Sequence, residues 1–291
     1  MPGMYSSASL SEKMFPVTTN DLKNAAAEIT AAVSLYNPVY EYRGREISDM
    51  ISDFLQDYMP YVDDSVSDEQ LEEWCSMLFR NARLLDSSLL KDNPYIKCIK
   101  VSSVQNSAFT LAMQSYRAGE ILLYDMPLIM DGIPVPRLGC FAEDTSFPAV
   151  YENNLPWMSI VPSEIYSMQK DIETVSGRLL VLGLGLAYFP FMAAMKENVE
   201  SVTVIECSSE ITGFYEKIIS VQFPEEIRNK IHVIQQDAYE YLSSMKEEYD
   251  YCYCDLWFGE TDGHSHYRRL KKYETQYPKI RFLYWIEAYI K

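Results

Sequence analysis

The sequence predicts an α/β protein whose second half folds as a doubly wound, mostly parallel sheet, behind a helical region and a stretch of short strands. Three observations predict it. From Gly177 onward, buried-strand patterns such as "RLLVLG", "SVTVIE" and "KIHVIQ" alternate with helical ones, and such alternation implies parallel strands covered on both faces. The first hundred or so residues instead carry apolar side chains at helical spacing. Between the two lies a run rich in Pro, Gly, Asn and Asp around short apolar stretches, the composition of strands and turns. These changes of character divide the chain into a helical N-terminal domain (1–118), a hairpin lead-in (119–162) and an α/β domain (163–291).

In chain order, "NDLKNAAAEITAAVSLY" places Leu22, Ile29 and Val33 on one helical stripe. "SDEQLEEWCSMLFRNARLL" opens with Ser67 and Gln70 at capping-box spacing and sets Leu71, Trp74, Leu78 and Leu85 on one face. A third helix is expected from Gln105 to Arg117. Pro162 and Ser163 begin another, carrying Ile165, Met168 and Ile172. After "RLLVLG", Tyr188 to Met195 reads as a helix that tolerates Pro190 in its first turn. "SSEITGFYEKIISVQF" turns Ile211, Phe214 and Ile218 inward. "AYEYLSSM" is a short helix, "YDYCYCDLW" a fourth strand, "HSHYRRLKKYETQY" a helix and "IRFLYWIEAYI" a fifth strand.

Composition narrows the function. The 291 residues suffice for a sizeable core, and the 48% hydrophobic content is that of an ordinary globular chain. The 42 acidic residues against 25 basic ones leave a net charge of -17, a surface that repels phosphate backbones. Nucleic acid is therefore not an expected partner, and a neutral or cationic small molecule is. The six cysteines form no CxxC pair, which argues against a zinc site or a disulfide scaffold. Cys252 and Cys254 alternate onto one face of the fourth strand as small buried hydrophobes. Reduced thiols in a cytoplasmic protein is the expectation.

The N-terminal segment lacks the apolar core of a signal peptide. The uncharged stretch from Leu179 to Met195 falls short of the roughly 18–20 apolar residues of a spanning helix and is interrupted by Gly183, Gly185 and Pro190. No membrane partner is expected. His264 and His266 diverge on a helix without a third ligand, so no metal is expected, and no G-x-S-x-G nucleophile signature occurs.

The chemistry concentrates in "GRLLVLGLGLAYFPFMAAM". In a doubly wound sheet, ligands bind beyond the carboxyl ends of the strands, where glycines let the backbone approach them. Glu206, at the end of the second strand, stands where an acid can grip two ribose hydroxyls. It also stands where an acid favours the start of the next helix. The third glycine of a dinucleotide fingerprint is replaced by Tyr188, which is too bulky for that role.

"VLGLGLA", "VIQQDAYEYL" and "YDYCYCDLWFGETDG" together resemble the motifs of class I S-adenosylmethionine-dependent methyltransferases, a Rossmann-like family, over roughly residues 163–291. Spermidine synthases and their methyltransferase-like relatives are the most similar subgroup. The resemblance implies S-adenosylmethionine as cofactor, held by Gly183, Leu184, Gly185, Glu206, Cys207, Asp237, Ala238 and Trp257. Asp237 would accept from the adenine amino group, and the Ala238 amide would meet the ring. Asp255 would stand beside the transferred group as the catalytic residue.

Read without that resemblance, Asp237 is equally a helix cap and Asp255 equally a turn residue, while Trp257 and Phe258 either stack on a ligand or fill core. The chain departs from the family at Val181, where an acid is usual, and at Phe258, where spermidine synthases carry a second aspartate; Asp262 lies nearby in another register. Methyl transfer to a small neutral or cationic acceptor is the expected activity. Aminopropyl transfer and a decayed, non-catalytic binding or scaffold protein are the alternatives. The helical portion would cover the pocket or form a homodimer interface.

Overall fold

The computed structural model describes residues 21–60, 62, 66–106, 109–153 and 155–291. The expectation of no signal peptide concerns residues outside that set. In chain order the elements are α1 (Leu22–Tyr36), α2 (Ile47–Tyr58), α3 (Asp68–Asn81), β1 (Arg83–Leu85), α4 (Ser88–Lys91), α5 (Pro94–Cys98), β2 (Ser103–Asn106), β3 (Phe109–Tyr116), β4 (Leu122–Met130), β5 (Ile133–Phe141), β6 (Thr145–Glu152) and β7 (Leu155–Ser159). There follow α6 (Pro162–Thr174), β8 (Gly177–Leu182), α7 (Tyr188–Ala194), β9 (Val199–Glu206), α8 (Ser209–Phe214), α9 (Glu225–Arg228), β10 (Ile231–Gln235), α10 (Ala238–Ser244), β11 (Tyr251–Cys254), α11 (Glu260–Gln276), β12 (Arg281–Tyr284) and α12 (Glu287–Ile290). The chain divides into two compact units, Met1–Leu84 with Gly119–Cys140 and Leu85–Ala118 with Phe141–Lys291.

In the first unit, Asp21 caps α1 by accepting from the Asn24 amide at 2.9 Å, and Leu22, Ile29 and Val33 are buried on the expected stripe. The capping box of α3 is formed by Ser67 and Gln70, and Trp74 and Leu78 are buried. That helix ends at Asn81, so Leu85 lies in β1 and not on the helix. Strands β4 and β5 make a hairpin, and both residues of its turn, Asp131 and Gly132, have positive φ. That is the two-residue turn whose twist matches paired strands. Sequence periodicity passed over α2, which buries Met50, Ile51 and Phe54 against the same core.

The second unit holds a four-stranded antiparallel sheet, β2-β3-β6-β7, and a five-stranded parallel sheet, β10-β9-β8-β11-β12. The helix expected over Gln105 to Arg117 is a strand pair instead. Residues 109–116 pair with all of β6 in unbroken register, and ladder bonds with a partner outweigh weak local propensity. In the parallel sheet the sequence order of the strands is 3-2-1-4-5, the doubly wound, Rossmann-like arrangement.

Register assigns its two faces. Cys252 and Cys254 lie level with Phe282 and Tyr284, and the Tyr284 hydroxyl donates to Glu274 on α11. Tyr253 points the other way, stacked on Phe189 of α7 with ring centroids 3.6 Å apart, and Trp285 Nε1 reaches Ser167 of α6. The fifth strand is shorter than expected. It stops at Tyr284, and the chain passes through Ile286 at φ 49 into α12.

Among the described residues, no helix is long and apolar enough to cross a membrane.

Candidate functional site

Parallel strands in one sheet bring all their carboxyl ends to one edge. Here that edge gathers the turn after β8, the Glu206–Cys207–Ser208 bend after β9, the Gln236–Asp237 step after β10 and the Asp255–Gly259 loop after β11. Backbone bonds stitch them together. Gly183 N donates to Ile205 O at 2.9 Å, Gln236 N to Glu206 O at 2.9 Å, and Asp255 N to Leu182 O at 3.0 Å.

Glu206 organises the centre. It is 8% exposed, and its two carboxylate oxygens accept from the Leu184 amide at 3.0 Å and the Ser208 amide at 2.7 Å. A carboxylate offers about four lone-pair positions, and the two amides and the neighbouring Cys207 thiol leave acceptor capacity for a ligand. Gly183, Leu184, Gly185, Glu206 and Cys207 thus form one contiguous patch. Cys207 is exposed, and its thiol is pushed up by burial of its sulfur and by the Glu206 carboxylate.

The two glycines have different reasons for being glycine. At Gly183, φ is +96 and a Cβ would stand 2.1 Å from the Asp255 carbonyl oxygen, so strand packing alone demands glycine there. At Gly185, φ is +53 and a Cβ would meet the Met158 Sδ and Cε at 2.6 Å. Met158, on β7, leans onto this turn, and its sulfur accepts from the Leu186 amide at 3.0 Å. Nothing in the sequence pattern pointed to Met158.

Asp237 caps α10. Its Oδ1 accepts from Tyr239 N at 2.9 Å and Glu240 N at 3.0 Å, while Ala238 is buried behind it. Val181 is 1% exposed inside the sheet, so no carboxylate stands at this point of β8. Asp262 is engaged by the Phe258 and Gly259 amides at 3.0 and 3.1 Å, closing the start of α11, and does not substitute for a second loop aspartate. Phe258 itself is 74% exposed. Trp257 is 5% exposed, with an indole N–H that is buried and lacks a hydrogen-bond partner among the described residues. His264 Nδ1 meets Ile290 O and His266 Nδ1 meets the Tyr239 hydroxyl, so the two rings go to different neighbours.

Asp255 stands at the end of β11. Its carboxyl pKa is raised well above the ordinary value by burial and then by the charge of Glu164 on α6. Glu164 in turn is pushed up to about 7 by burial. Glu164 can therefore hold or release a proton near neutral pH, and its charge makes ionising Asp255 harder. Sequence reasoning missed Glu164. Its signal was an acid in the first turn of the helix that precedes β8. A separate cavity of about 450 Å3 opens at the opposite, amino edge of the strands, lined by residues that include Arg178, Tyr249, Asp250 and Tyr277.

No protein-family model matches the sequence, and no curated protein does. Among solved structures, similarity extends to spermidine synthase from Thermotoga maritima (13% identity, 57% of this chain and 52% of that one, TM-score 0.32). It also extends to the human methyltransferase 10 domain containing protein (15% identity, 42% of this chain and 65% of that one, TM-score 0.35). A third is the N-terminal domain of human METTL16 in complex with SAH (14% identity, 46% of this chain and 59% of that one, TM-score 0.34). The chain spans less than two thirds of each of these structures. What is established for this chain is its own architecture, a Rossmann-like parallel sheet with helices on both faces.

Proposed function

We propose that the parallel-sheet unit binds S-adenosylmethionine along the carboxyl edge of β8, β9, β10 and β11 and transfers its methyl group to a small neutral or cationic acceptor beside Asp255. The observation that carries this reading is the placement of Glu206. It is buried, tied to the glycine turn through the Leu184 amide, and retains acceptor capacity. The residues suit the cofactor on two further counts: Asp237 uses one oxygen for capping and keeps the other, and the buried Trp257 N–H lacks a partner among the described residues. Glu206 would accept from ribose hydroxyls and Asp237 from an adenine amino group. Bound S-adenosylmethionine supplies an electrophilic methyl group. This chain's part is then to align the acceptor, exclude water and receive a proton at Asp255, since alignment alone contributes much of the rate in a direct displacement.

A second reading, a non-catalytic binding protein, is favoured by Met158, whose thioether already contacts the glycine turn. Calorimetric titration with S-adenosylhomocysteine, with NAD as control, separates the two. Heat with the first ligand and none with the second supports the cofactor site, and Glu206→Gln then weakens binding about tenfold by removing a charged acceptor. Met158→Ala leaves that affinity equal or raises it. Silence from wild type and Met158→Ala alike rejects the cofactor site, and heat with NAD alone rejects the family.

A further inference from the structure

We propose that the cavity at the amino edge of the parallel sheet is a second binding site, one that takes a small organic molecule with a single carboxylate and an apolar body. Arg178 holds the carboxylate, with Lys279 as a second cation. The proposal stands apart from the reading of the carboxyl edge, because the two edges are opposite ends of the same parallel strands.

The cavity has a volume of about 450 Å3, within the range of about 300–1,000 Å3 that small-molecule sites occupy. Three strands start beside it, and their backbone fixes its base. Asp250 N donates to Arg178 O at 2.8 Å, and Arg178 N returns a bond to Asp250 Oδ2 at 2.7 Å. Arg281 N donates to Asp250 O at 3.0 Å, which ties β12 to the same point. Gly177 makes room for this carboxylate: at φ +68, a Cβ there would stand 2.2 Å from Asp250 Oδ2. Arg178 is thus carried on backbone bonded from both sides, and a site on rigid strand ends is held more exactly than one on a loop.

The cations of the wall lack acids of their own. The Arg178 guanidinium lies 5.7 Å from the centre of the Tyr249 ring. Neither it nor the Lys279 ammonium forms an ion pair among the described residues, and both residues are exposed to an entering ligand. The acids of the wall are already occupied in part. Asp250 spends Oδ2 on the Arg178 amide. Glu247 Oε2 accepts from the Lys246 amide at 3.2 Å, and backbone amides, helped by the Lys246 charge, hold its carboxyl below the ordinary range. Together with Glu248 these charges repel a second negative charge on the ligand, which favours a monocarboxylate over a phosphate monoester. A guanidinium matches a carboxylate through two parallel N–H bonds. What remains of the wall is apolar. The Tyr249 hydroxyl is bonded to that of Tyr241 at 2.6 Å, and the Tyr277 hydroxyl donates to Leu242 O at 2.5 Å. Their rings, with Met245 and Pro278, are left for the body of the ligand.

The test titrates the full-length protein with 3-phenylpropionate, followed by amide NMR, with 3-phenyl-1-propanol, phenethylamine and phenyl phosphate as neutral, cationic and dianionic controls. The carboxylate should shift the amides of Arg178, Tyr249 and Asp250. It should bind at least about tenfold more tightly than the alcohol, as charge-assisted bonds exceed neutral ones, and should weaken as salt is raised. Arg178→Gln should weaken it about tenfold with little change in melting temperature, since the hydrogen bonds that Arg178 makes run through its backbone. Arg178→Lys should fall between the two, keeping the charge and losing the fork. Lys279→Gln should weaken binding several-fold and serves if the Arg178 variants do not fold. Absence of carboxylate binding, equal binding of the alcohol, or tighter binding of the amine or of phenyl phosphate overturns the proposal. So does unchanged affinity in Arg178→Gln and Lys279→Gln alike, or displacement of the carboxylate by S-adenosylhomocysteine. Failure of S-adenosylhomocysteine to bind at all bears on the carboxyl edge alone and leaves the carboxylate site standing.

Discussion

Replacing Gly183 or Gly185 by alanine should give unequal losses, although the two positions look alike in the sequence. Gly183→Ala forces a methyl group to within 2.1 Å of the Asp255 carbonyl oxygen, at φ +96. The backbone conformation costs about 1–2 kcal/mol for an L-residue. Backing Asp255 away also strains its amide bond to Leu182 O, 3.0 Å long, a bond worth about 1 kcal/mol. Alanine returns about 0.4–1 kcal/mol by restricting the unfolded chain. The net loss is therefore about 2 kcal/mol, with steric strain on top.

Gly185→Ala, at φ +53, meets the tip of Met158 at 2.6 Å, a flexible side chain able to swing aside. The same terms without the broken strand bond leave about 1 kcal/mol or less. Amide hydrogen exchange in β8 and β11 is the suitable assay, because it reports this unit separately from the other one. In a double-mutant cycle, Met158→Ala should relieve Gly185→Ala and leave Gly183→Ala untouched. Equal losses at both glycines, or rescue of Gly183→Ala by Met158→Ala, would refute the reasoning.

The buried acids predict a pH dependence of stability. Glu164 is raised from 4.5 to about 7 and Asp171 from 3.8 to about 6, both by burial. Across that window the unfolded chain releases protons that the folded one retains, so stability present at about pH 4 falls as pH rises towards 7. Melting temperatures should trace this fall, and Glu164→Gln should flatten it; an unchanged slope would count against the buried pair. Lys196 Nζ donates to the carbonyls of Ile172, Glu173 and Val175 at 2.8, 2.7 and 2.7 Å, closing the end of α6. Lys196→Met should cost about 1–3 kcal/mol and speed exchange in the last turn of α6, whereas unaltered exchange would show that water replaces the ammonium.

How much was legible in advance depended on the range of the interaction. The α3 capping box and Pro162 at the start of α6 are written within four residues of themselves, and the structure forms each. The alternation from Gly177 onward became the five-stranded parallel sheet because buried strands and amphipathic helices have different periods. Residues 109–116 read locally as helix because their deciding partner, β6, lies 29 to 43 positions away in the register. Helix α2 was passed over, although it buries three large apolar side chains.

The candidate site divides along the same line. Sequence by itself determined that Glu206, Asp237 and Asp255 end successive strands, and a parallel sheet has to deliver such ends to one edge. Tertiary structure decided what each carboxylate meets. Glu206 is bonded to the Leu184 amide, Asp237 is occupied by a helix start, and Asp255 is opposed by Glu164 from a helix packed across the sheet. It also set Met158 against Gly185 and left the Tyr253 hydroxyl without a partner among the described residues. Strand ends follow from local periodicity, whereas burial and charge at a side chain depend on neighbours that only packing brings within reach.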